Sequence, residues 1–194
     1  MSEHSDEITT DVESLTLPCL PRVKGLYVKH IGVTKALSES YEEAAAVCLC
    51  GQFVPPTQFE ITWSDSVTQR FLLWRQPTDV EKRAWANNID CVEAAAYGVA
   101  LSAVEATLGL VAIERAATRS GADYYVAASQ GDYLEDAVRL EISGTASSDV
   151  GRIRDRLKSK LRQVAHPSDP SLACVVSFGA RMIVLMDAQA CQTN

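Results

Sequence analysis

The sequence has 194 residues, of which 47% are hydrophobic and 22% are charged. A chain of this length and composition buries a core without metals or disulfides, and its net charge of −7 excludes non-specific affinity of the whole protein for nucleic acid. It contains six cysteines, none in a Cys-x-x-Cys pair, and three histidines. These numbers argue against a structural zinc site and favour free, buried thiols.

The N-terminal stretch MSEHSDEITTDVES has five acidic residues and no basic one. It lacks the positive start and the apolar stretch of a signal peptide. No apolar run in the sequence reaches the length needed to span a bilayer. We therefore expect a cytoplasmic protein that is not bound to a membrane, with a disordered acidic segment over residues 1–23.

Residues 24–86 are predicted to form an N-terminal extension of strand, helix and hairpin. KGLYVKHIGV alternates side chains as a strand does. SESYEEAAAVCLCGQ is typical of an alanine-rich helix that begins at Ser38 or Ser40. QFEITWSDSVTQRFLLWRQ predicts a hairpin that turns at SDSV. PTDVEKRAWANN predicts a helix that starts with a capping box between Thr78 and Glu81.

Residues 87–194 are predicted to form a mixed sheet with helices on both faces. An alanine-rich helix over 89–108 precedes three strands, in LVAIERAAT, ADYYVAA and VRLEISGT. An amphipathic helix capped by Ser147 or Ser148 follows, and two further strands lie in LACVVSFG and RMIVLMDA. The apolar stripe of this amphipathic helix consists of Ile153, Leu157, Leu161 and Val164. A run of strands, a crossover helix and a returning strand indicate an α/β (α+β) fold with a mixed central sheet.

Two acidic residues lie in otherwise apolar predicted strands. Asp123 begins ADYYVAA, and Glu141 lies within VRLEISG on the same face as Arg139 and Ser143. If the two strands pair through the loop SQGDYLED, the carboxylates approach each other, and a cation between them removes their repulsion. Magnesium needs only one or two carboxylates beside phosphate oxygens and water. The two acids therefore predict a Mg²⁺ site that activates water beside a phosphate.

The order of elements and these two acids resemble the PD-(D/E)xK nuclease superfamily, which has the restriction-endonuclease-like fold. The resemblance covers residues 89–188, where GLVAIERAATRSGADYYV followed by RLEISG is similar to resolvase-type members. It implies that Asp123 and Glu141 are the catalytic, metal-binding acids. It also implies a further metal ligand on the first helix, for which Glu93 is the better match and Glu105 the weaker one. The implied partner is DNA, and the implied cofactor of an active enzyme is Mg²⁺.

The sequence departs from this family at Ser143, where the family has a lysine. Some members place that lysine on the following helix, and here the stretch GRIRDRLKSKLRQ carries six basic residues and one acid. Lys160 borders the apolar stripe, and Gln163 lies three residues further on the same side. The resemblance therefore implies that Lys160 and Gln163 take the catalytic part of the missing lysine. Arg152 and Arg156, with Lys160, are the predicted contacts to a phosphate backbone.

Simpler interpretations of the same residues stay open. Asp123 can be an ordinary turn residue after RSG, Glu141 can pair with Arg139 as a cross-strand charge, and the basic helix can be a solvated face. Three function hypotheses follow: a metal-dependent nuclease of a bacterial defence or DNA-processing complex, a catalytically inactive scaffold or accessory subunit, and an unrelated interaction module. The tryptophans of the extension favour assembly with a protein partner or a second copy.

Overall fold

The computed structural model describes residues 17–128, 137–166 and 168–189. Most of the predicted acidic segment, up to residue 16, lies outside the described residues, and so does the loop SQGDYLED. Within the described ranges the chain forms one 3₁₀-helix, four α-helices and seven β-strands.

The predicted extension contains a hairpin and three helical elements. They are a 3₁₀-helix over Val23–Val28, α1 over Lys35–Cys50, β1 over Thr57–Trp63, β2 over Ser66–Leu72 and α2 over Asp79–Ala84. The predicted strand in KGLYVKHIGV is wrong, because the backbone there is a 3₁₀-helix. Its buried residues, Val23 and Leu26, are three positions apart and share one side of a helix with three residues per turn, whereas Val28 is exposed.

The first two α-helices begin with side-chain caps. Helix α1 starts after Thr34, whose hydroxyl accepts a backbone N–H of the first turn at 3.2 Å. The predicted cap Ser38 instead donates to the Lys24 carbonyl at 2.7 Å, which ties the 3₁₀-helix to α1. The predicted capping box between Thr78 and Glu81 is confirmed at the start of α2.

The remaining elements follow the predicted order of helix, three strands, helix and two strands. Helix α4 is capped by the carboxylate of Asp149 rather than by Ser147 or Ser148. Helix α3 ends at Gly109, whose φ of 69° lies in the left-handed region that glycine adopts without strain. The bounds are α3 Asn88–Leu108, β3 Leu110–Arg115, β4 Tyr124–Ala128, β5 Val138–Thr145, α4 Val150–Val164, β6 Ser171–Ser177 and β7 Met182–Asp187.

All seven strands form one mixed sheet in the order β2-β1-β7-β6-β5-β4-β3. The pairs β5–β6 and β1–β7 are parallel, and the other neighbouring pairs are antiparallel. The predicted α/β fold with a mixed central sheet flanked by helices is confirmed. The hairpin of the predicted extension continues the sheet of the predicted core, so the two regions share one sheet.

Helices cover both faces of the sheet. Helix α3, itself packed against α1, lies on one face, and α4 lies on the other with the predicted stripe of four apolar residues buried. Strand β6, buried along its whole length, contributes side chains to both layers. The expectation that no apolar stretch is long enough to span a bilayer is wrong by length and composition, because α3, alone among the described helices, is apolar enough. However, 67% of its apolar window is buried inside the fold, as in the core helix of a globular protein.

Candidate functional site

A cleft of about 480 Å³ opens where α3 and α4 flank strand β5. Six of the seven predicted site residues line it. Helix α3 contributes Glu93, the start of β4 contributes Asp123, β5 contributes Glu141, and α4 contributes Arg156, Lys160 and Gln163. The seventh, Arg152, lines an adjoining cavity of about 450 Å³ that also has Arg156 and Lys160 in its wall.

Close packing of α3 on β5 forms one wall of this cleft. A Cβ atom at Gly144 would overlap the carbonyl oxygen of Val92, so only glycine lets α3 approach β5 this closely. The first turns of α3 therefore pack directly on β5 at Gly144. This placement brings Tyr97, which sequence reasoning missed, into the cleft.

The Asp123 carboxylate is fixed by two donors. Its Oδ2 accepts the backbone N–H of Ile142 at 2.7 Å, and its Oδ1 lies 3.0 Å from the Tyr97 hydroxyl. The interpretation of Asp123 as an ordinary turn residue does not account for these contacts, which join three elements. They hold the carboxylate against β5 with its charge directed into the cleft.

The Tyr97 hydroxyl lies between two carboxyl groups. It is 3.0 Å from Glu93 Oε1 as well as 3.0 Å from Asp123 Oδ1, although a phenol has a single proton to donate. Burial, together with these two carboxylates, raises the pKa of Tyr97 far above its usual value. The hydroxyl therefore stays protonated and holds Asp123 in position.

Glu141 is the most deeply buried acid of the cleft, with 3% of its surface exposed. Burial raises the pKa of its carboxyl, the contact with Lys160 opposes the rise, and the nearby charge of Asp123 adds to it, giving a value of about 7. Both carboxyl groups line the same cleft, and Asp123 accepts the backbone N–H of Ile142, the residue that follows Glu141.

Lys160 supplies the cation beside Glu141. Its Nζ donates to Glu141 Oε1 and to Gln163 Oε1, the second at 3.1 Å. The alternative pairing of Glu141 with Arg139 is wrong, because the Arg139 guanidinium instead donates to the Ser120 carbonyl.

Arg156 fills the place next to Ser143, where the family has its lysine. Its guanidinium donates to the Ser143 hydroxyl at 2.9 Å. Because Arg156 and Lys160 are four residues apart, they lie on the same face of α4. Arg156 was predicted only as a contact to the phosphate backbone, although this spacing, together with its place next to Leu157 of the apolar stripe, could have predicted a second cation in the cleft.

The carboxylate oxygens in the cleft suit a hard cation that takes few of its ligands from the protein. Among the residues that the structure describes, no group of three or more His, Cys, Asp or Glu side chains is arranged to hold a metal, so exposed Glu93 does not complete a three-ligand set. Asp123 and Glu141 provide oxygen ligands in the number that Mg²⁺ takes when phosphate and water supply the rest. Burial, with a smaller contribution from Asp123, raises the pKa of Glu141, and such a cation would favour its ionised form.

The chain matches no protein-family model, no curated protein sequence and no solved structure. Its assignment to the PD-(D/E)xK superfamily therefore rests on the sequence resemblance and on the arrangement of these side chains, and it stays a proposal.

Proposed function

We propose that the chain is a divergent PD-(D/E)xK nuclease that binds DNA at this cleft and hydrolyses a phosphodiester with Mg²⁺, as a subunit of a bacterial defence or DNA-processing complex. One observation carries the proposal. Lys160 reaches from α4 to Glu141, beside Asp123, and so supplies the positive charge that Ser143 cannot. The two acids and the cation come from three different elements that converge on one cleft.

Each side chain has a chemical part in this proposal. Magnesium held by Asp123 and Glu141 would polarise the phosphate and lower the pKa of a bound water. Lys160 and Arg156 present charged donors to the phosphate oxygens and stabilise the charge that develops on them during hydrolysis. Tyr97 keeps the Asp123 carboxylate oriented through its hydrogen bond.

The first test compares two lysines of the same helix. Lys158 is exposed and points away from the cleft, whereas Lys160 contacts Glu141. We expect Lys160→Ala to reduce Mg²⁺-dependent cleavage of a DNA panel by about 100-fold or more, because it removes a charged donor at the reacting phosphate. Lys158→Ala should cleave like the wild type. Equal activity of the two variants would contradict the proposed role of Lys160.

The second test measures Mg²⁺ binding by titration calorimetry, without reference to cleavage. Because Glu141 has a pKa of about 7 and must lose its proton to bind a metal, we expect affinity to fall by up to tenfold for each pH unit below about 7. Asp123→Asn should abolish binding at every pH. Binding that is unchanged from about pH 8 to about pH 6 would exclude Glu141 as a ligand.

A second candidate function is a catalytically inactive scaffold or accessory subunit with the same fold. It is favoured by the complete pairing of the acids, since both oxygens of Asp123 have a donor and Glu141 has Lys160. A satisfied polar network needs no metal. This candidate predicts no heat of Mg²⁺ binding and no cleavage, with DNA binding that weakens when Arg152 and Arg156 are both replaced by alanine.

We propose a protein partner for the N-terminal region and a cytoplasmic location. Trp74 is buried and its indole N–H donates to the Thr57 hydroxyl at 2.9 Å. The two other tryptophans are partly buried against the core. All three therefore pack within the fold and do not support a partner surface. The support comes instead from exposed aliphatic side chains. Of eight large hydrophobic residues exposed in the described chain, six precede residue 87, among them Val28, Ile31 and Val54. Light scattering of the purified chain, alone and with proteins of its host, tests this surface.

A further inference from the structure

Two cysteine thiols face each other between α1 and α3. The Sγ atoms of Cys48 and Cys91 are 3.5 Å apart, about 1.5 Å more than in a disulfide. Cys91 is buried and Cys48 is half-buried. The two helices pack against each other, so the pair would link them directly.

A cavity of about 170 Å³ gives access to both sulfurs. Cys48 and Cys91 are part of its wall, together with Trp85. The cavity is large enough for a small polar molecule such as hydrogen peroxide. It also borders the candidate cleft, because Asn88 and Val92 line both spaces.

The pair is polarised by its own hydrogen bond. The Cys91 sulfhydryl donates to the Ala44 carbonyl at 3.4 Å, which leaves Cys48 as the donor between the two sulfurs. This bond lowers the pKa of the Cys91 thiol and raises that of Cys48. The thiolate therefore forms first on Cys91, and the thiolate is the form of cysteine that attacks an oxidant.

We propose that Cys48 and Cys91 are a peroxide-reactive thiol pair that closes to a disulfide linking α1 to α3. The Cys91 thiolate attacks one oxygen of hydrogen peroxide, the O–O bond breaks, and the released hydroxide takes up a proton to leave water and a sulfenic acid. The Cys48 thiol then attacks the Cys91 sulfur, an S–S bond forms, and a second water leaves. The two thiols lose two electrons in total, and one peroxide is reduced to two waters.

This disulfide would restrain the wall of the candidate cleft. Cys91 precedes Val92, whose carbonyl is packed on Gly144 of β5 without space for a side chain. Movement of Cys91 towards α1 therefore acts on the same helical turn that carries Glu93 into the cleft. The thiol chemistry itself does not depend on the proposed nuclease function.

The test treats the full chain with a modest excess of hydrogen peroxide, blocks remaining thiols and digests with trypsin without reduction. Cleavage after lysine and arginine gives peptides 36–70, which holds Cys48 and Cys50, and 84–115, which holds only Cys91. We expect these two peptides to appear joined, with the loss of two hydrogen atoms. The joined pair should be absent from Cys48→Ser and present in the matched control Cys50→Ser.

A second measurement needs only the wild-type chain. The disulfide closes a long loop, so the oxidised wild type should melt roughly 10 °C above the reduced form, and dithiothreitol should reverse the shift. The proposal is overturned if both thiols stay fully alkylatable after peroxide, if Cys91 proceeds to sulfinic acid without a crosslink, or if the joined peptides persist in Cys48→Ser.

Discussion

Two lysine–carboxylate pairs lie in different regions of this molecule, and the pKa values of their carboxyl groups shift in opposite directions. Glu105 at the end of α3 contacts Lys29 at 2.6 Å and His30 at 3.1 Å. Burial raises the pKa of Glu105, but the two donors outweigh it and the pKa is lowered. Burial also raises the pKa of Glu141, to about 7, because its one cation, Lys160, does not outweigh burial and the nearby carboxylate of Asp123 adds to the rise. The two pKa values differ because the donors outweigh burial at Glu105 and do not at Glu141.

The Glu105 cluster (Glu105, Lys29 and His30) and the Glu141 cluster (Glu141, Asp123 and Lys160) also have different roles. His30 is fully buried, and its Nδ1 accepts the Ala112 backbone N–H at 3.0 Å, while the Gly32 N–H donates to the Ala112 carbonyl. His30 of the Glu105 cluster and Gly32 thus bind the backbone N–H and carbonyl of Ala112, on the edge of β3 that no strand pairs with in the described sheet. The Glu141 cluster lines a cleft and holds a buried acid whose pKa is raised to about 7. A cluster that bonds the backbone at a sheet edge stabilises the fold, and a buried acid with a raised pKa in a cavity is typical of a functional site.

The largest effect on stability is expected from His30→Ala. The change leaves the Ala112 N–H without its acceptor and opens a cavity, so the free energy of unfolding should fall by about 3 kcal/mol. Urea denaturation measures it. The matched control is Lys29→Ala, whose side chain is 66% exposed and whose loss should cost less than about 1 kcal/mol. Similar losses in both variants would mean that the edge contact contributes little.

Glu141→Gln should stabilise the protein at alkaline pH. The folded-state pKa of about 7 exceeds the ordinary 4.5, so the folded protein binds the extra proton, and wild-type stability from this group falls as pH rises from 4.5 through 7. Glutamine does not ionise, so Glu141→Gln does not lose stability in this way. At about pH 8 its free energy of unfolding should exceed that of the wild type by on the order of 2 kcal/mol, and the difference should vanish near pH 4.5. Glu105→Gln should instead destabilise at pH 8.

The smallest expected effect is the loss of wild-type stability at acidic pH that results from protonation of His30. Burial lowers the pKa of His30 below 6.5, although Glu105 opposes the shift. The unfolded chain therefore takes up this proton first, and stability is complete above pH 6.5 and declines as pH falls below that value. Denaturation at several pH values should show this decline in the wild type and a weaker one in His30→Ala. Parallel curves would show that His30 titrates alike in both states.

The regular periods of strand and helix made part of the site predictable. Alternation along β5 places Glu141 and Ser143 on one face, and the apolar stripe of α4 orients Lys160 towards them, so local rules place three groups that meet in space. Tyr97 and His30 were missed because their roles depend on contacts with residues distant in sequence. The 3₁₀-helix was misjudged because six residues are too few to separate a period of three from a period of two.

Parallel pairing of β1 with β7 has a consequence for synthesis of the chain. Strand β7 lies between β1 and β6, so the N-terminal hairpin has no neighbour in the sheet until residues 182–187 have left the ribosome. The hairpin emerges more than a hundred residues before them. During that interval its apolar face, with Phe59 and Ile61, is uncovered on the β7 side and open to chaperones or to a neighbouring nascent chain. Emergence of β7, rather than of the first half of the chain, is the step at which this sheet closes.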